Sequence, residues 1–311
     1  MHTHPICEKW SLWSYRVKLR KPLAVLGKQD LLREGWVLGK FNKLTNSWYY
    51  AEISPLLSFH KISKLEVFDD IINSVRDNKK PRTALVKTAF DVWNTSSTNG
   101  TLSINSLLRS NTSNTHANQH TIKIKLGRQD LDADIEWFTQ LQNQYPSIQW
   151  RLDCNRQWTV HQLQRFWQAC EPTNIEYIED PLENPALIEK ISDIPIALDE
   201  SLLEYQSLLA QTNVVAAIIK PTLHLNWQQL LRQYPTVKPV ISSTFETSLG
   251  IWGLGQLALQ YAPNSIHGLG TLDWFAEDIV HQPLQRSVNT LSLLSQPPLP
   301  LFSKLHWEDG Q

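Results

Sequence analysis

Six side chains of two complementary kinds recur through the second half of the sequence. Asp153, Glu179 and Asp199 are carboxylates; Lys123, Lys125 and Lys220 are lysines. Each stands at the end of a short β-branched or apolar run, at residues 121–126, 148–155, 175–179, 196–199 and 214–220. Side chains alternate between the two faces of a strand. Lys123 and Lys125 therefore share one face, with Ile122, Ile124 and Leu126 opposite. Arg151, Asp153 and Asn155 share another, with Leu152 and Cys154 opposite. The apolar sets pack against helices, so the charged sets point inward. Three carboxylates held together repel one another, and burying them unpaired is costly. A hard divalent cation resolves this, and Mg²⁺, with Mn²⁺ as the other candidate, suits a site of few carboxylates plus substrate oxygens. Asp153, Glu179 and Asp199 are the expected ligands, with Asn155, Asp180 and Glu200 expected to support them. A lysine beside a cation has its ammonium form disfavoured and can act as a base near neutral pH. The metal would stabilise the charge left on a carboxylate when its α-proton departs. Lys125 and Lys220 lie on strands to either side of the carboxylate strands, so they can address opposite faces of a substrate. Singly, any of the six reads as a helix cap or a solvated charge. Their shared place at successive strand ends is what marks a site.

The elements that must position them follow a repeating pattern. After His120, strand-like runs alternate with helical stretches at 130–144, 160–170, 185–191, 202–210, 226–233 and 249–261, and a last strand is expected at 265–268. Together with a strand inside 102–108, this gives about eight strands, which favours a closed barrel. No glycine-rich phosphate loop follows any of them. Before residue 95, short alternating runs at 13–19, 35–41 and 48–53 suggest a small antiparallel sheet. Two helices follow near 64–77 and 81–92, with Pro81 in the first turn of the second. The expected fold class is α/β, a (β/α) TIM-like barrel with an α+β capping domain formed by the N-terminal region and the C-terminal tail. The expected division is 1–95 for the cap, 96–285 for the barrel and 286–311 for a segment that packs back on the cap.

Bulk properties narrow the partners. The formal net charge is −1 over 311 residues, which gives no basic surface for nucleic acid or anionic lipid. Three cysteines, Cys7, Cys154 and Cys170, are too few and too irregular for a disulfide framework. No signal-peptide run and no membrane-length apolar run is visible. These readings fit a cytoplasmic enzyme, monomer or homo-oligomer, acting on a small-molecule carboxylate. The thirteen tryptophans are expected to fill core and interdomain space.

In its order, the set K-x-K (Lys123, Lys125), D-x-N (Asp153, Asn155), E-D-P (Glu179 to Pro181), D-E-S (Asp199 to Ser201) and K-P (Lys220, Pro221) resembles the enolase superfamily, in its muconate-lactonizing and o-succinylbenzoate synthase branch. The resemblance covers 121–278 well and the cap more weakly, where 51–56 is similar to that family's loop facing the site. The stretches 151–156, 241–250 and 268–273 resemble the synthase in particular. That resemblance implies a magnesium-dependent lyase of menaquinone or phylloquinone biosynthesis. It implies a syn-dehydration that makes the aromatic ring of o-succinylbenzoate from a succinyl-hydroxycyclohexadiene carboxylate through an enediolate. It further implies Lys125 as the base that then assists loss of hydroxide, supported by Lys123, with Lys220 as a cation over the ring. Arg151, Ser242, Ser243 and Thr244 are implied to bind substrate, the strand-seven residues near the succinyl tail. An N-succinylamino acid racemase or a dipeptide epimerase would keep the same lysines and ligands, and a catalytically inactive barrel used for binding is a third reading. One departure is visible: residues 109–120 are too few and too polar for the helix that usually follows the first strand.

Overall fold

The computed structural model describes residues 9–25, 28–43, 46–108 and 120–308. Three strands open the chain, β1 (Trp10–Val25), β2 (Lys28–Asn42) and β3 (Ser47–Ile53), and pair antiparallel. Alternation gives this sheet two apolar faces. Leu12, Leu38, Ala51 and Ile53 pack with helices α2 (Lys64–Arg76) and α3 (Ala84–Asn94), which follow the one-turn helix α1 (Leu57–His60). Tyr15, Val17, Val37 and Tyr50 pack the other way, against Leu249 and Phe275.

Local chemistry fixes the helix ends. Ser63 and Glu66 form a capping box at the start of α2. Buried Asp70 on α2 accepts hydrogen bonds from the backbone N–H of Arg82 and Thr83 and from the Thr83 hydroxyl. Thr83 then caps α3, which begins at Ala84, so Pro81 lies outside the first turn expected for it. The partner that sets this boundary comes from the preceding helix, which no local pattern announces.

The barrel strands are β4 (Gly100–Ile104) and β5 (Ser106–Leu108), then β6 (Thr121–Lys125), β7 (Gln149–Asp153), β8 (Ile175–Glu179), β9 (Ile196–Leu198), β10 (Val214–Ile219), β11 (Lys238–Ile241) and β12 (Ile266–His267). Strands β5 to β11 form one parallel sheet in chain order. The ring closes at Asn105: β5 pairs with β6 on one side, while β4, the same strand continued, pairs parallel with β12 on the other. A bridge from Ser242 to Gly268 joins the end of β11 to β12. Beyond the barrel, β13 (Thr290–Leu293) pairs antiparallel with β4, and β14 (Leu305–Glu308) pairs antiparallel with β1.

Helices α4 (Leu131–Gln144), α5 (Val160–Ala169), α6 (Trp227–Gln233) and α7 (Ser248–Tyr261) cover the wall. Ile122, Ile124, Leu126, Leu152 and Cys154 are fully buried in the cluster that includes Phe138 and Phe166. Each such aliphatic side chain contributes about 1.5–3 kcal/mol. The helices expected at 185–191 and 202–210 are 3₁₀ turns instead, over Pro185–Lys190, Glu200–Leu203 and Gln206–Ala210. Runs this short, one of them opening on Pro185, cannot offset the cost of an α-helical nucleus. The crossover at 109–119 lies outside the described residues, as does Cys7. Trp150, Trp158, Trp227 and Trp252 are buried core residues. Among the described residues, no helix is long and apolar enough to cross a membrane.

His267, at the end of β12, is fully buried and structural. Its Nδ1 accepts from the Ile241 N–H at 3.1 Å, and its Nε2 donates to the Ala262 carbonyl at 3.1 Å. Burial pulls its pKa down to about 4. The unfolded chain binds this proton near pH 6.5, so stability is full above that pH and is lost as pH falls towards 4. The loss for His267 is on the order of 2–3 kcal/mol. His267→Gln, which can offer the same acceptor and donor without titrating, should show a flatter fall in Tm between pH 7 and pH 4.5. An unchanged slope in this variant would remove His267 from the acid response.

Candidate active site

Strand register, more than local sequence, assembles the mouth of the barrel. Lys125 pairs with Asp153 across β6 and β7, and Asp153 with Glu179 across β7 and β8. Glu179 pairs with Ala197, which places Asp199 just beyond the end of β9. Lys220 follows β10, so the carboxylate strands lie between Lys123 and Lys125 on one side and Lys220 on the other. All six expected side chains line one cavity of about 1660 Å³.

The charges interlock. Lys123 Nζ is 2.5 Å from Glu179 Oε1 and 2.9 Å from Asp153 Oδ2. Lys125 Nζ is 3.3 Å from Asp153 Oδ2, and Lys220 is ion-paired with Asp199. Burial alone would disfavour each ion. It does push Glu179 well up from the carboxylate range, with Asp153 and Asp199 acting the same way and Lys123 opposing. For Asp199, burial is outweighed by Lys220 and Lys123, which hold it low; Asp153 is held low by Lys123 and Lys125 in the same manner. Lys123 is likewise disfavoured by burial, but Asp153, Glu179 and Asp199 more than offset this and its pKa is raised. That direction is opposite to the one expected for a lysine beside a cation. It follows from the three anions that surround the ammonium.

The donor set fits a hard divalent cation: three carboxylates, one of them favouring its neutral form, stand on adjacent strands with only ammonium groups to balance them. Among the described residues, no three acidic, histidine or cysteine side chains form a ready-made metal cluster; lysine ammonium groups pair with Asp153, Glu179 and Asp199. The ammonium of Lys123, shared by Asp153 and Glu179, marks where positive charge is wanted.

Supporting residues divide unevenly. Asn155 donates to Asp153 Oδ1 at 2.8 Å and accepts from Lys125 at 3.2 Å. Asp180 is buried, and burial raises its pKa to about 6. It accepts from the Ser201 N–H at 3.0 Å and from the Ser201 hydroxyl. Glu200 is exposed at the rim, and Ser201, fully buried, is the residue of that turn that reaches Asp180. Asn155, Arg156 and Asp180 adopt positive φ at 47°, 59° and 41°, so the loops carrying these groups are bent sharply just past the strands.

Arg151 sits lower. It is 1% exposed, donates to Glu176 at 2.7 Å and 3.2 Å and to the Ile266 carbonyl at 2.8 Å, and lies over the Tyr177 ring at 5.0 Å. With Tyr177, Ile218 and Val240 it forms part of the cavity floor. Ser242, Ser243 and Thr244 line the wall. The Ser243 hydroxyl meets Thr271 at 2.8 Å, and the Thr244 hydroxyl is engaged by Glu246 and Thr222.

Several groups in the cavity were not legible in sequence. Phe59 of α1 lies 5.1 Å from Lys220 Nζ, an arrangement that favours the cation. Lys21 stands 4.6 Å over the Trp274 ring. Outside the cavity lining, buried His224 supports Lys220: its Nδ1 accepts from the backbone N–H of that residue at 3.1 Å. These residues carry no motif; the fold brings them in from the cap and from late loops.

Comparison with known proteins adds to this geometry. Residues 112–219 match the family described as enolase C-terminal domain-like. The chain is 32% identical over 195 residues to an o-succinylbenzoate synthase of Pasteurella multocida, covering 58% of each chain. It is 34% identical over 163 residues to one of Haemophilus influenzae, covering 49% of this chain and 50% of that protein. The match thus spans little more than half the length of these curated relatives. Among solved structures, the o-succinylbenzoate synthase of Thermosynechococcus elongatus, complexed with Mg, superposes with a TM-score of 0.71 at 21% identity, covering 86% of this chain and 94% of that one. A dipeptide epimerase of Enterococcus faecalis, complexed with Mg and a dipeptide, gives 0.74 at 16% identity, covering 96% and 99%. At these identities the superpositions establish the fold.

Two variants separate ligand from support. Asp199→Asn should weaken the Mg²⁺-induced rise in Tm most. Ser201→Ala, which acts only through Asp180, should weaken apparent Mg²⁺ affinity roughly 10-fold, the lower end for a supporting residue. Titration of Tm against Mg²⁺ reads both, and equal losses would contradict this division.

Proposed function

We propose that the chain is a member of the enolase superfamily, a reading that its family match and curated relatives support, and that it is an o-succinylbenzoate synthase: a lyase that dehydrates a succinyl-hydroxycyclohexadiene carboxylate to o-succinylbenzoate in quinone biosynthesis. The observation that carries this reading is the bracket of lysines around the carboxylates, Lys125 against Asp153 and Lys220 against Asp199. The chemistry of α-proton abstraction needs a base on one side of the substrate and positive charge on the other. The named curated relatives support the same choice of reaction.

In this reading Asp153, Glu179 and Asp199 hold a divalent cation, Mg²⁺ by the chemistry of the donors. Bound there, the ion supplies Lewis-acid stabilisation of a substrate carboxylate. The chain's own groups do the rest. Lys125, one-third exposed and reachable from the cavity, removes the α-proton and then returns it to the departing hydroxyl on the same face as water. Asn155 holds Lys125 and Asp153 in register. Lys123, locked to two carboxylates, orients them and is less free to move a proton. Lys220, buried and shielded by Phe59, presents fixed positive charge to the opposite face of the ring. Ser242, Ser243 and Thr244 line the wall where the succinyl tail would lie, and Arg151 braces the floor beneath it.

The test is loss of the diene absorbance of the substrate by the purified chain. Turnover should stop with EDTA and return with Mg²⁺. Lys125→Ala and Lys220→Ala should each lower kcat by roughly 10²–10⁴-fold or more while leaving the far-UV spectrum unchanged. Normal turnover in Lys125→Ala would refute the assigned base. Racemisation of N-acylamino acids or dipeptides without dehydration would move the assignment to the epimerase branch, which uses the same two lysines on opposite faces.

A further inference from the structure

We propose that Arg33 and Glu52, on neighbouring strands of the cap sheet, are positioning residues that clamp the loop after β11 and thereby set the substrate-binding wall; the inference rests on the site and reaction proposed above.

Arg33 lies on β2 and is 1% exposed. Its Nε donates to the Phe245 carbonyl at 2.9 Å. Its Nη1 donates to the Pro55 carbonyl at 2.9 Å, and its Nη2 to the carbonyl and hydroxyl of Ser54. One guanidinium therefore ties the cap segment leading into Leu56 and Phe59 to the barrel loop that follows Ser242, Ser243 and Thr244. All five of those residues line the cavity.

Glu52, on β3 and 7% exposed, holds the far end of the same loop. Its carboxylate accepts from the Thr247 hydroxyl at 2.5 Å, from the Thr247 N–H at 3.1 Å and from the Gly250 N–H at 2.8 Å. Thr247 makes no side-chain cap of its own for α7, so the cap sheet supplies the capping anion from a distance of 195 residues in sequence. A carboxylate at a helix N-terminus is favoured by the unpaired amides and the helix dipole. Gly250 permits the approach: a Cβ there would stand 2.8 Å from Glu52 Oε2 and 2.5 Å from Glu246 Cβ. The Tyr15 hydroxyl also donates to Glu52 and fixes its rotamer.

The charges suit their targets. The cation takes a carbonyl and the anion takes amides, at the two ends of one short loop. Between them Phe245 has φ of 63°, a conformation that a bulky residue keeps only when its surroundings impose it. Its ring meets Trp274 edge-on at 5.5 Å, on the wall that Lys21 also covers. Lys125, Asp153, Glu179 and Asp199 stand on other strands and make none of these contacts. Loosening the clamp should therefore act on substrate binding more than on the chemical step.

Arg33→Met, Arg33→Lys and Glu52→Gln test this on the full chain. Amide exchange over 242–250 reads the clamp without any substrate, so it stays informative if the wild-type chain fails to dehydrate the diene. That failure would sink the proposed reaction alone. We expect faster exchange at 242–250 in Arg33→Met and Glu52→Gln, a KM raised roughly tenfold, kcat within about threefold, and an unaltered Mg²⁺-induced Tm shift. Arg33→Lys, which keeps the charge but reaches fewer acceptors, should recover part of the KM loss. If Arg33→Met does not fold, Arg33→Lys and Glu52→Gln, both close in size to the originals, carry the same comparison. Unchanged exchange in folded variants would overturn the clamp, and a fall in kcat at constant KM would overturn its role in substrate binding.

Discussion

Three carboxylates at adjacent strand ends, largely buried in one cavity, cannot remain together without positive charge nearby. Asp153, Glu179 and Asp199 are in that position, and Lys123, Lys125 and Lys220 answer it. Much of the local structure can be read as a consequence. Asn155 braces one carboxylate, Asp180 and Ser201 brace the turn that holds another, and the sharp backbone at Asn155 and Asp180 turns the chain away once each acid is delivered. In the proposed reaction, a cation held by these carboxylates would lower the pKa of a neighbouring lysine and let it act as a base.

The parallel barrel is suited to this because its register is continuous. Each strand presents its inward residues at nearly the same height, so residues separated by tens of positions arrive at one mouth. The opposite face of each strand carries Ile122, Ile124, Leu126, Leu152 and Cys154 into the helical layer, and that burial stabilises the frame against the electrostatic cost of the mouth. The cap completes the enclosure. It contributes Phe59 against Lys220, Lys21 against Trp274, and through Arg33 and Glu52 it anchors a barrel loop that the barrel itself leaves incompletely capped. The N-terminal sheet is in turn bound to the end of the chain by β14 on β1, while β13 fastens the same tail region to β4. Cap, barrel and tail are thus joined by backbone ladders as well as by side chains.

The sequence by itself determined the α/β barrel and the inward placement of the three carboxylates and three lysines. Both follow from short-range rules: period-two alternation sorts each strand into apolar and charged faces, and strand-end position is read directly from where the apolar run stops. It also separated Cys154 from Asp153, since adjacent strand residues must face opposite ways. Tertiary structure decided what depends on partners remote in sequence. Glu200 was the residue beside Asp199 expected to give support, and the packing of that 3₁₀ turn brings Ser201 to Asp180 instead. Arg151 shares a face with Asp153, but its fork is committed to Glu176 and the Ile266 carbonyl one layer down. His267 is structural because two backbone groups, the Ile241 N–H and the Ala262 carbonyl, take both of its ring nitrogens. The helix expected at Pro81 begins later because Asp70 reaches across from another helix. Arg33 and Glu52 sit in strands with no pattern that marks them, and their hydrogen bonds close over some 200 residues of chain. Alternation and strand ends are properties of neighbours along the chain; a hydrogen bond between distant residues exists only once the fold has brought its donor and acceptor together.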